Sequence, residues 1–309
     1  MKEEVKRKSR FAVWINTLRL HTLPLALACI GLGNLLSYKI RFSPIIALFT
    51  FLTAILLQIL SNLANDYGDA KNGADTPDRI GPERMVHTGE ITHRQIKGAI
   101  VSVIILSLIS GIILLLESLQ NIGYTGAMVL FLVGISSIAA AIAYTATKNP
   151  YGYRGLGDIS VFIFFGIVAV AGSYYLQTGN IPLNIIIPAI GIGLLCTSVL
   201  NINNIRDIES DRLAGKNTIP VKIGLRNAKI YHWLLLIVPI LLFTCNRNNY
   251  STLDWIIFTI PSLFLIINGI GVSRSKKPAD LIPYLKQLVL SIFIFAICYG
   301  FLAVYSSNS

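Results

Sequence analysis

Nine long apolar runs divide the chain, and they restrict its fold more than any other feature of the sequence. They cover residues 22–38, 44–63, 97–116, 125–146, 158–177, 182–202, 229–245, 254–272 and 287–305. A helix of about 20 apolar residues is long enough to cross the hydrocarbon core of a bilayer. Only 13% of the 309 residues are charged, whereas soluble domains carry about 25%. The sequence therefore predicts an all-α integral membrane protein with nine transmembrane helices.

The basic residues are distributed unevenly between the two ends of these spans. A net charge of +11 could indicate a nucleic-acid partner, but the arrangement of the charge argues against one. Of the 26 lysines and arginines, all but Lys39, Arg41 and Arg247 lie before the first span or in and beside the loops after spans two, four, six and eight. Alternation of this kind marks the cytoplasmic side of a membrane protein. We therefore predict no nucleic-acid partner, a cytoplasmic N-terminus and a C-terminus on the outside.

Residues 1–21 form a basic segment before the nine-span domain of residues 22–309. Within this segment, residues 10–20 (RFAVWINTLRL) interleave aromatic and aliphatic side chains with arginines. The pattern is typical of an amphipathic helix that lies on the cytoplasmic leaflet of the membrane. A charged lead-in to the first span explains it nearly as well, so both interpretations stay open.

Nine of the fifteen acidic residues lie at the ends of the second and sixth spans or in the loops that follow them, and six of these nine form two clusters. The first cluster is residues 61–75 (SNLANDYGDAKNGAD), and the second is residues 201–215 (NINNIRDIESDRLAG). Each begins with amides in the last turn of a span, continues with spaced aspartates and ends near a glycine. Because four spans separate them, we predict two parallel repeats of four helices, with a ninth helix added.

The spacing within the clusters points to a bound cation. Asn203, Asp207 and Asp211 recur every four residues, as do Asn65 and Asp69, so on a helix each set shares one face. Carboxylates stacked on one face repel each other unless a positive charge lies between them. Magnesium prefers oxygen ligands and binds through one or two carboxylates together with substrate phosphates. Two such helices facing each other could hold magnesium against a diphosphate.

A less specific interpretation is a pair of solvated helix ends with salt bridges to Arg206 and Arg212. The amides argue against it, because asparagines are costly near a bilayer unless they bind something. Basic residues that could neutralise a diphosphate lie close in sequence, although several of them also fit the positive-inside pattern alone. They are Lys71, Arg79, Arg84, Lys148, Arg154, Lys216 and Lys222.

The loop after the fourth span supplies a third polar region, residues 143–165 (AYTATKNPYGYRGLGDISVFIFF). Tyr144 and Lys148 are spaced one helical turn apart. Asp158 begins the fifth span, where a carboxylate is favoured by the helix dipole. It is equally well explained as a helix cap and as an active-site acid.

Three motifs together resemble the UbiA-type intramembrane prenyltransferases. They are NDYGDAKNGAD followed by RIGPERMVHTGEIT (residues 65–92), YGYRGLGD (151–158) and NNIRDIESDRLAGKNTIPVKIG (203–224). The resemblance extends from Arg19 to the ninth span and is greatest to the branch that acts on 1,4-dihydroxy-2-naphthoate.

This resemblance implies a nine-helix bundle around a central cavity that opens to lipid. It implies transfer of a polyprenyl group from a polyprenyl diphosphate to 1,4-dihydroxy-2-naphthoate with loss of CO2, giving demethylmenaquinone. The implied cofactor is Mg²⁺, with the metal ligands Asp66, Asp69, Asp75, Asp207 and Asp211. Together with the charge pattern, the resemblance leads us to predict the substrate-binding residues Asn65, Lys71, Arg79, Arg84, Arg154, Asn203 and Lys216 and the catalytic residues Tyr144, Lys148 and Asp158.

The first aspartate motif departs from the family pattern at one position, and two rival functions stay open. Many relatives place the second aspartate of the first motif eight residues after its asparagine, but here Asp75 follows Asn65 by ten. How Asp66, Asp69 and Asp75 divide the metal role is therefore open. Another acceptor, such as 4-hydroxybenzoate or haem, is the main rival. A membrane transporter is a weaker one, because transporters place their charges near the middle of the bilayer.

Overall fold

Every regular element that the computed structural model describes is a helix. The structure describes residues 9–73, 84–246 and 251–305. In chain order the helices are α1 (Arg10–Leu18), α2 (Leu23–Ser37), α3 (Pro44–Lys71), α4 (His93–Ala143), α5 (Gly157–Thr178), α6 (Leu183–Arg206), α7 (Ile208–Leu213), α8 (Ile219–Cys245), α9 (Thr252–Arg274) and α10 (Leu281–Tyr305). Short 3₁₀ turns at Leu20–Thr22, Tyr151–Arg154 and Pro278–Asp280 join some of them. The all-α prediction is confirmed for these residues.

The helix α4 accounts for two of the nine predicted spans. It contains 51 residues, about 75 Å at 1.5 Å per residue, whereas the hydrocarbon core is about 30 Å thick. Gly123 interrupts it with φ 66° and ψ 174°, a conformation that glycine adopts without steric cost. Eight helical segments of the described residues are long and apolar enough to cross a membrane. With α4 divided at Gly123, they correspond to the nine predicted crossings.

Three helices extend beyond their predicted ends at the side of the acidic clusters. The helix α3 continues to Lys71 rather than residue 63, α6 to Arg206 rather than 202, and α8 begins at Ile219 rather than 229. An apolar run measures only the part of a helix that lies in lipid. Backbone hydrogen bonds continue the helix through polar residues, so Asp66 and Asp69 of the first cluster and Asn203 of the second lie on helix ends that extend beyond the apolar runs.

The N-terminal helix α1 is separate from the first span. Ser9 caps it by accepting a hydrogen bond from the amide of Ala12 (3.3 Å), and Arg19 ends it in the left-handed region with φ 49° and ψ 52°. The apolar side chain of Val13 is buried in a small core with Leu63 and residues 85–86. Of the two interpretations of residues 10–20, this geometry favours a distinct amphipathic helix over a continuous lead-in.

Small residues bring the central helices into close contact. In α5 a π-helical stretch, Phe162–Ala171, packs against α6. A Cβ added at Gly166 would lie 2.5 Å from the carbonyl oxygen of Ala189 and 2.7 Å from Cα of Gly193. Backbones approach this closely only where side chains are absent. The contact fixes α5 against α6, and both helices line the cavity described below.

We predict that Gly166→Ala destabilises the protein by about 1–3 kcal/mol, because the added methyl group overpacks a backbone contact. The matched control is Gly98→Ala in α4, where an added Cβ meets nothing within 4 Å. That control should be neutral or stabilising, since alanine favours helix over glycine. Thermal unfolding of both variants in detergent measures the difference. Equal melting temperatures would contradict the packing argument.

Candidate functional site

Residues at the ends of α3 and α6 line one cavity of about 830 Å³. Its polar end, which we call the charged end, carries residues of both acidic clusters. These are Asn62, Asn65, Asp69, Asn203, Asn204, Asp207 and Asp211. The deeper walls are apolar, with residues such as Leu57, Leu115 and Phe131 from the neighbouring spans. The structure thus brings the two sequence clusters to a single place, with an apolar chamber beside them.

Asp69 is the most heavily engaged acid of the first cluster. Its carboxylate is buried and forms an ion pair with the Arg84 guanidinium. It also accepts hydrogen bonds from the Tyr153 hydroxyl (2.5 Å) and the Lys216 ammonium group (3.2 Å). Three donors from three different segments therefore converge on one carboxylate and keep it ionised.

Asp66 is buried one residue after Asn65 but is not among the cavity-lining residues. Its carboxylate forms an ion pair with Arg19, and Nε of Arg84 lies 3.9 Å away. Arg84 also donates a hydrogen bond to the backbone carbonyl of Asn65 (3.2 Å). The side chain of Asn65 accepts one from the Thr145 hydroxyl (3.1 Å). Asp66 thus ties the first cluster to the chain segment that precedes α2.

The second cluster lies at a helix junction. The helix α6 ends at Arg206 and α7 begins at Ile208, so Asp207 (φ −96°, ψ 11°) separates them. The prediction that Asn203, Asp207 and Asp211 share a continuous helix is therefore wrong, because the helix breaks at the middle residue. A backbone hydrogen bond from Asp211 to Asp207 (2.7 Å) preserves one turn. All three residues consequently still line the cavity.

The arginines of the second cluster pair with neighbouring acids. Arg206 donates two hydrogen bonds to Asp207, both 2.7 Å. Arg212 pairs with Glu209 at 2.8 Å, and the Glu209 side chain is 72% exposed. The salt bridges of the less specific interpretation therefore exist. They do not explain why the two clusters converge on one cavity, because Arg212 and Glu209 lie outside that cavity.

Lys216 connects the two clusters. Its ammonium group lies 3.2 Å from Oδ1 of Asp69 and 3.9 Å from Oδ1 of Asp211, and 4.7 Å from the centre of the Tyr153 ring. A positive charge is thus already favoured between acids of opposite clusters.

The donor chemistry suits a hard cation that brings further ligands with it. Carboxylate and amide oxygens are the ligands that Mg²⁺ takes. Among the described residues, no three His, Cys, Asp or Glu side chains converge as a complete metal site. Magnesium commonly binds through one or two carboxylates, water and substrate phosphates. The residues therefore fit a magnesium–diphosphate complex better than a metal held by protein alone.

The segment after α4 departs from its predicted geometry. The helix ends at Ala143, so Tyr144 and Lys148 do not lie on one helix face. Tyr144 lines the cavity, whereas Lys148 is exposed in a bend outside it. Burial raises the pKa of the Tyr144 hydroxyl, and nearby Tyr151 and Asp158 raise it further. Tyr144 is therefore protonated at neutral pH and can act as a hydrogen-bond donor rather than as a base.

The remaining predicted site residues lie away from the cavity or outside the described ranges. Asp158 lies in the first turn of α5 and accepts a hydrogen bond from Tyr231 (3.0 Å). Lys71 and Arg154 are exposed and do not line the cavity. Asp75 and Arg79 lie outside the residues that the structure describes.

Two residues, Tyr153 and Asn62, form contacts that the sequence did not predict. The sequence predicted no role for Tyr153, yet its hydroxyl donates a hydrogen bond to Asp69, and burial together with the Asp69 carboxylate raises the pKa of that hydroxyl. Asn62 donates hydrogen bonds to the carbonyl of Leu18 (2.9 Å) and to the Thr22 hydroxyl (3.0 Å). The YGYR motif was the available signal for Tyr153. No spacing in the sequence pairs Asn62 with Thr22.

Comparisons with known proteins agree on one family. The sequence model of the UbiA prenyltransferase family matches residues 25–288. The chain is 44% identical to a 1,4-dihydroxy-2-naphthoate octaprenyltransferase of Escherichia coli, over 91% of each chain. It is 41% identical to a protein of the same name from Haemophilus influenzae, over 95% of this chain and 96% of that one. The fold is similar to a UbiA homologue from Archaeoglobus fulgidus bound to GPP and Mg²⁺, with a TM-score of 0.62 and 17% identity over 94% of this chain and 99% of that one.

We predict that Arg84→Gln destabilises the metal-free protein by about 3 kcal/mol, because it removes one partner of a buried ion pair. Arg84 is only 8% exposed. The matched control is Arg212→Gln, whose partner is exposed. It should cost less than about 1 kcal/mol, as for other surface pairs. Denaturation in detergent and chelator measures both, and similar losses would show that the Arg84 pair is not a buried structural contact.

Proposed function

The chain belongs to the UbiA prenyltransferase family, and we propose that it transfers a polyprenyl group from a polyprenyl diphosphate to 1,4-dihydroxy-2-naphthoate. Carbon dioxide is lost, and the product is demethylmenaquinone in its quinol form. One observation carries the proposal for this chain: two acidic clusters meet at the mouth of an apolar cavity, where Lys216 lies between Asp69 and Asp211. The two relatives of 41% and 44% identity support the choice of acceptor.

The proposed cofactor is Mg²⁺. Asp69, Asp207 and Asp211 are the carboxylates that line the cavity, and they are the residues we assign to hold it. Asp66 pairs with Arg19 and does not line the cavity, so we assign it a supporting role instead. When bound, magnesium supplies Lewis-acid neutralisation of the diphosphate leaving group. The A. fulgidus homologue was solved with GPP and Mg²⁺, which supports this assignment.

The basic residues of the charged end stabilise the leaving group. Breaking the allylic carbon–oxygen bond leaves the bonding electrons on the diphosphate. Arg84 and Lys216 are already fixed there by hydrogen bonds, and fixed donors stabilise developing charge without reorganisation. The Tyr153 hydroxyl holds Asp69 in place. These groups face the diphosphate rather than the prenyl chain, so they favour ionisation.

The apolar walls protect the carbocation that ionisation leaves behind. Residues such as Leu115 and Phe131 line the deeper cavity, and excluding water there prevents hydrolysis of the reactive intermediate. The electron-rich naphthoate ring then attacks the allylic carbon, and its carboxylate departs as CO2. No redox step is needed, because the ring supplies the bonding electron pair.

The proposed orientation places the charged end at the cytoplasmic face of the membrane, with the N-terminus inside and the C-terminus outside. The alternation of lysine and arginine between loops supports it. A water-soluble diphosphate headgroup and acceptor would then reach the site from the cytoplasm, while the prenyl chain stays in the apolar chamber.

We expect Asp69→Asn and Asp207→Asn each to reduce magnesium-dependent product formation by at least about 100-fold, because each removes a charge from the metal–diphosphate site. The matched control is Glu209→Gln, which alters an exposed acid of the same cluster outside the cavity. It should retain activity within about twofold. The assay uses purified protein, a polyprenyl diphosphate and 1,4-dihydroxy-2-naphthoate, with Mg²⁺ or with chelator. Full turnover by both variants, or in chelator, would refute the metal–diphosphate assignment.

The choice of acceptor has its own test. Membranes that contain the protein should convert 1,4-dihydroxy-2-naphthoate with a polyprenyl diphosphate to a prenylated lipid, and 4-hydroxybenzoate should give at least about tenfold less product. We expect this preference because the chain is 41% and 44% identical to two proteins named 1,4-dihydroxy-2-naphthoate octaprenyltransferase. Product from hydroxybenzoate but not from dihydroxynaphthoate would assign the chain to another acceptor within the same family.

A further inference from the structure

Two further basic side chains line the cavity, and they belong to elements that carry neither acidic cluster. His21 lies in the 3₁₀ turn that precedes α2, and Lys286 lies in the second turn of α10. Both side chains line the same cavity as Asp69 and Asp211. They have no role in the diphosphate site described above.

These two residues differ from the other basic residues of the cavity in having no acid beside them. The others all pair with carboxylates: Arg19 with Asp66, Arg84 with Asp69, Arg206 with Asp207, and Lys216 with Asp69 and Asp211. Within residues 9–73, 84–246 and 251–305, neither His21 nor Lys286 forms an ion pair or a side-chain hydrogen bond. The charges that act on His21 are those of Arg19 and Lys286, and both are positive.

Unbalanced positive charge in a partly apolar cavity favours an anionic ligand. The positive charges of Arg19 and Lys286 beside His21 repel a further cation, whereas a carboxylate would be attracted by Lys286 and could accept hydrogen bonds from both His21 and Lys286. The diphosphate has its own basic residues at the charged end. A second anion in the same cavity requires separate ones, because two anions that share a set of cations repel each other.

The surroundings of this pair suit an apolar group attached to the anion. Pro24 and Leu25 follow His21 on α2, and Leu285 and Val289 flank Lys286 on α10, and all four line the cavity. Leu25 is buried, and Leu285 and Val289 pack against the main core. Apolar walls with a few convergent polar groups are typical of small-molecule sites.

We propose that His21 and Lys286 form the binding site for the carboxylate of the aromatic acceptor, with the aromatic ring packed between α2 and α10. This inference rests on the proposed function for the identity of the acceptor. It assigns recognition of the donor and of the acceptor to different basic residues of one cavity. Lys286 contributes the charge, and His21 contributes a hydrogen bond.

Equilibrium binding without any prenyl diphosphate tests this site independently of catalysis. The probes are 1-hydroxy-2-naphthoate and 1-naphthol, which differ by the carboxylate, titrated against the full-length protein in detergent. We expect the wild-type protein to bind the acid at least about tenfold more tightly than the naphthol, since a charge-assisted hydrogen bond contributes this much. In Lys286→Gln and His21→Gln the preference should fall at least about fivefold. Lys286→Arg should keep it.

The matched control is Lys276→Gln, an exposed lysine that precedes α10 and does not line the cavity. It should keep the wild-type preference. Prenyl diphosphate binding should be unchanged in all four variants, which also shows that they are folded. Equal binding of acid and naphthol by the wild-type protein, or an unchanged preference in Lys286→Gln, would overturn the inference. A wild-type protein that prefers the acid but forms no prenylated naphthoate would overturn the proposed function and leave this site supported.

Discussion

The contact of Lys216 with Asp69 and Asp211 is the interaction on which the site depends. It joins residues from the ends of α3 and from α7, which lie in different halves of the chain. Carboxylates brought together at this point would repel each other without a cation between them. Asp69, in turn, is held by Arg84 and Tyr153 on further segments. The meeting of the two clusters is therefore a property of a network of fixed charges and not of helix packing alone.

The sequence predicted the features that follow from length and spacing. Apolar runs gave the nine spans, because the thickness of the bilayer sets the length of each one. The four-residue spacing of Asn203, Asp207 and Asp211 predicted one shared helix face, and although the helix breaks at Asp207, all three residues line the same cavity. The alternation of basic residues stays a prediction about the orientation of the chain in the membrane.

Long-range pairing could not be predicted from spacing. The contact of Arg19 with Asp66, 47 positions apart, has no local signature, and neither has the hydrogen bond of Tyr153 to Asp69 across 84 positions. The prediction that Tyr144 and Lys148 lie one helical turn apart was wrong for a different reason. Sequence periodicity assumes that a helix continues, and here it ends at Ala143. Interactions of this kind depend on how the helices are assembled in three dimensions.

The pairing of each acid with a base has a consequence for the order in which ligands enter. Among the described residues, the cavity is lined by three acids, Asp69, Asp207 and Asp211, and by five lysines and arginines, Arg19, Arg84, Arg206, Lys216 and Lys286. A bare divalent cation would therefore approach a region of net positive charge. A metal ion whose charge is already neutralised by diphosphate oxygens would meet no such repulsion, and its diphosphate would be attracted by the same lysines and arginines. The resting charge balance thus favours entry of metal and diphosphate as one complex.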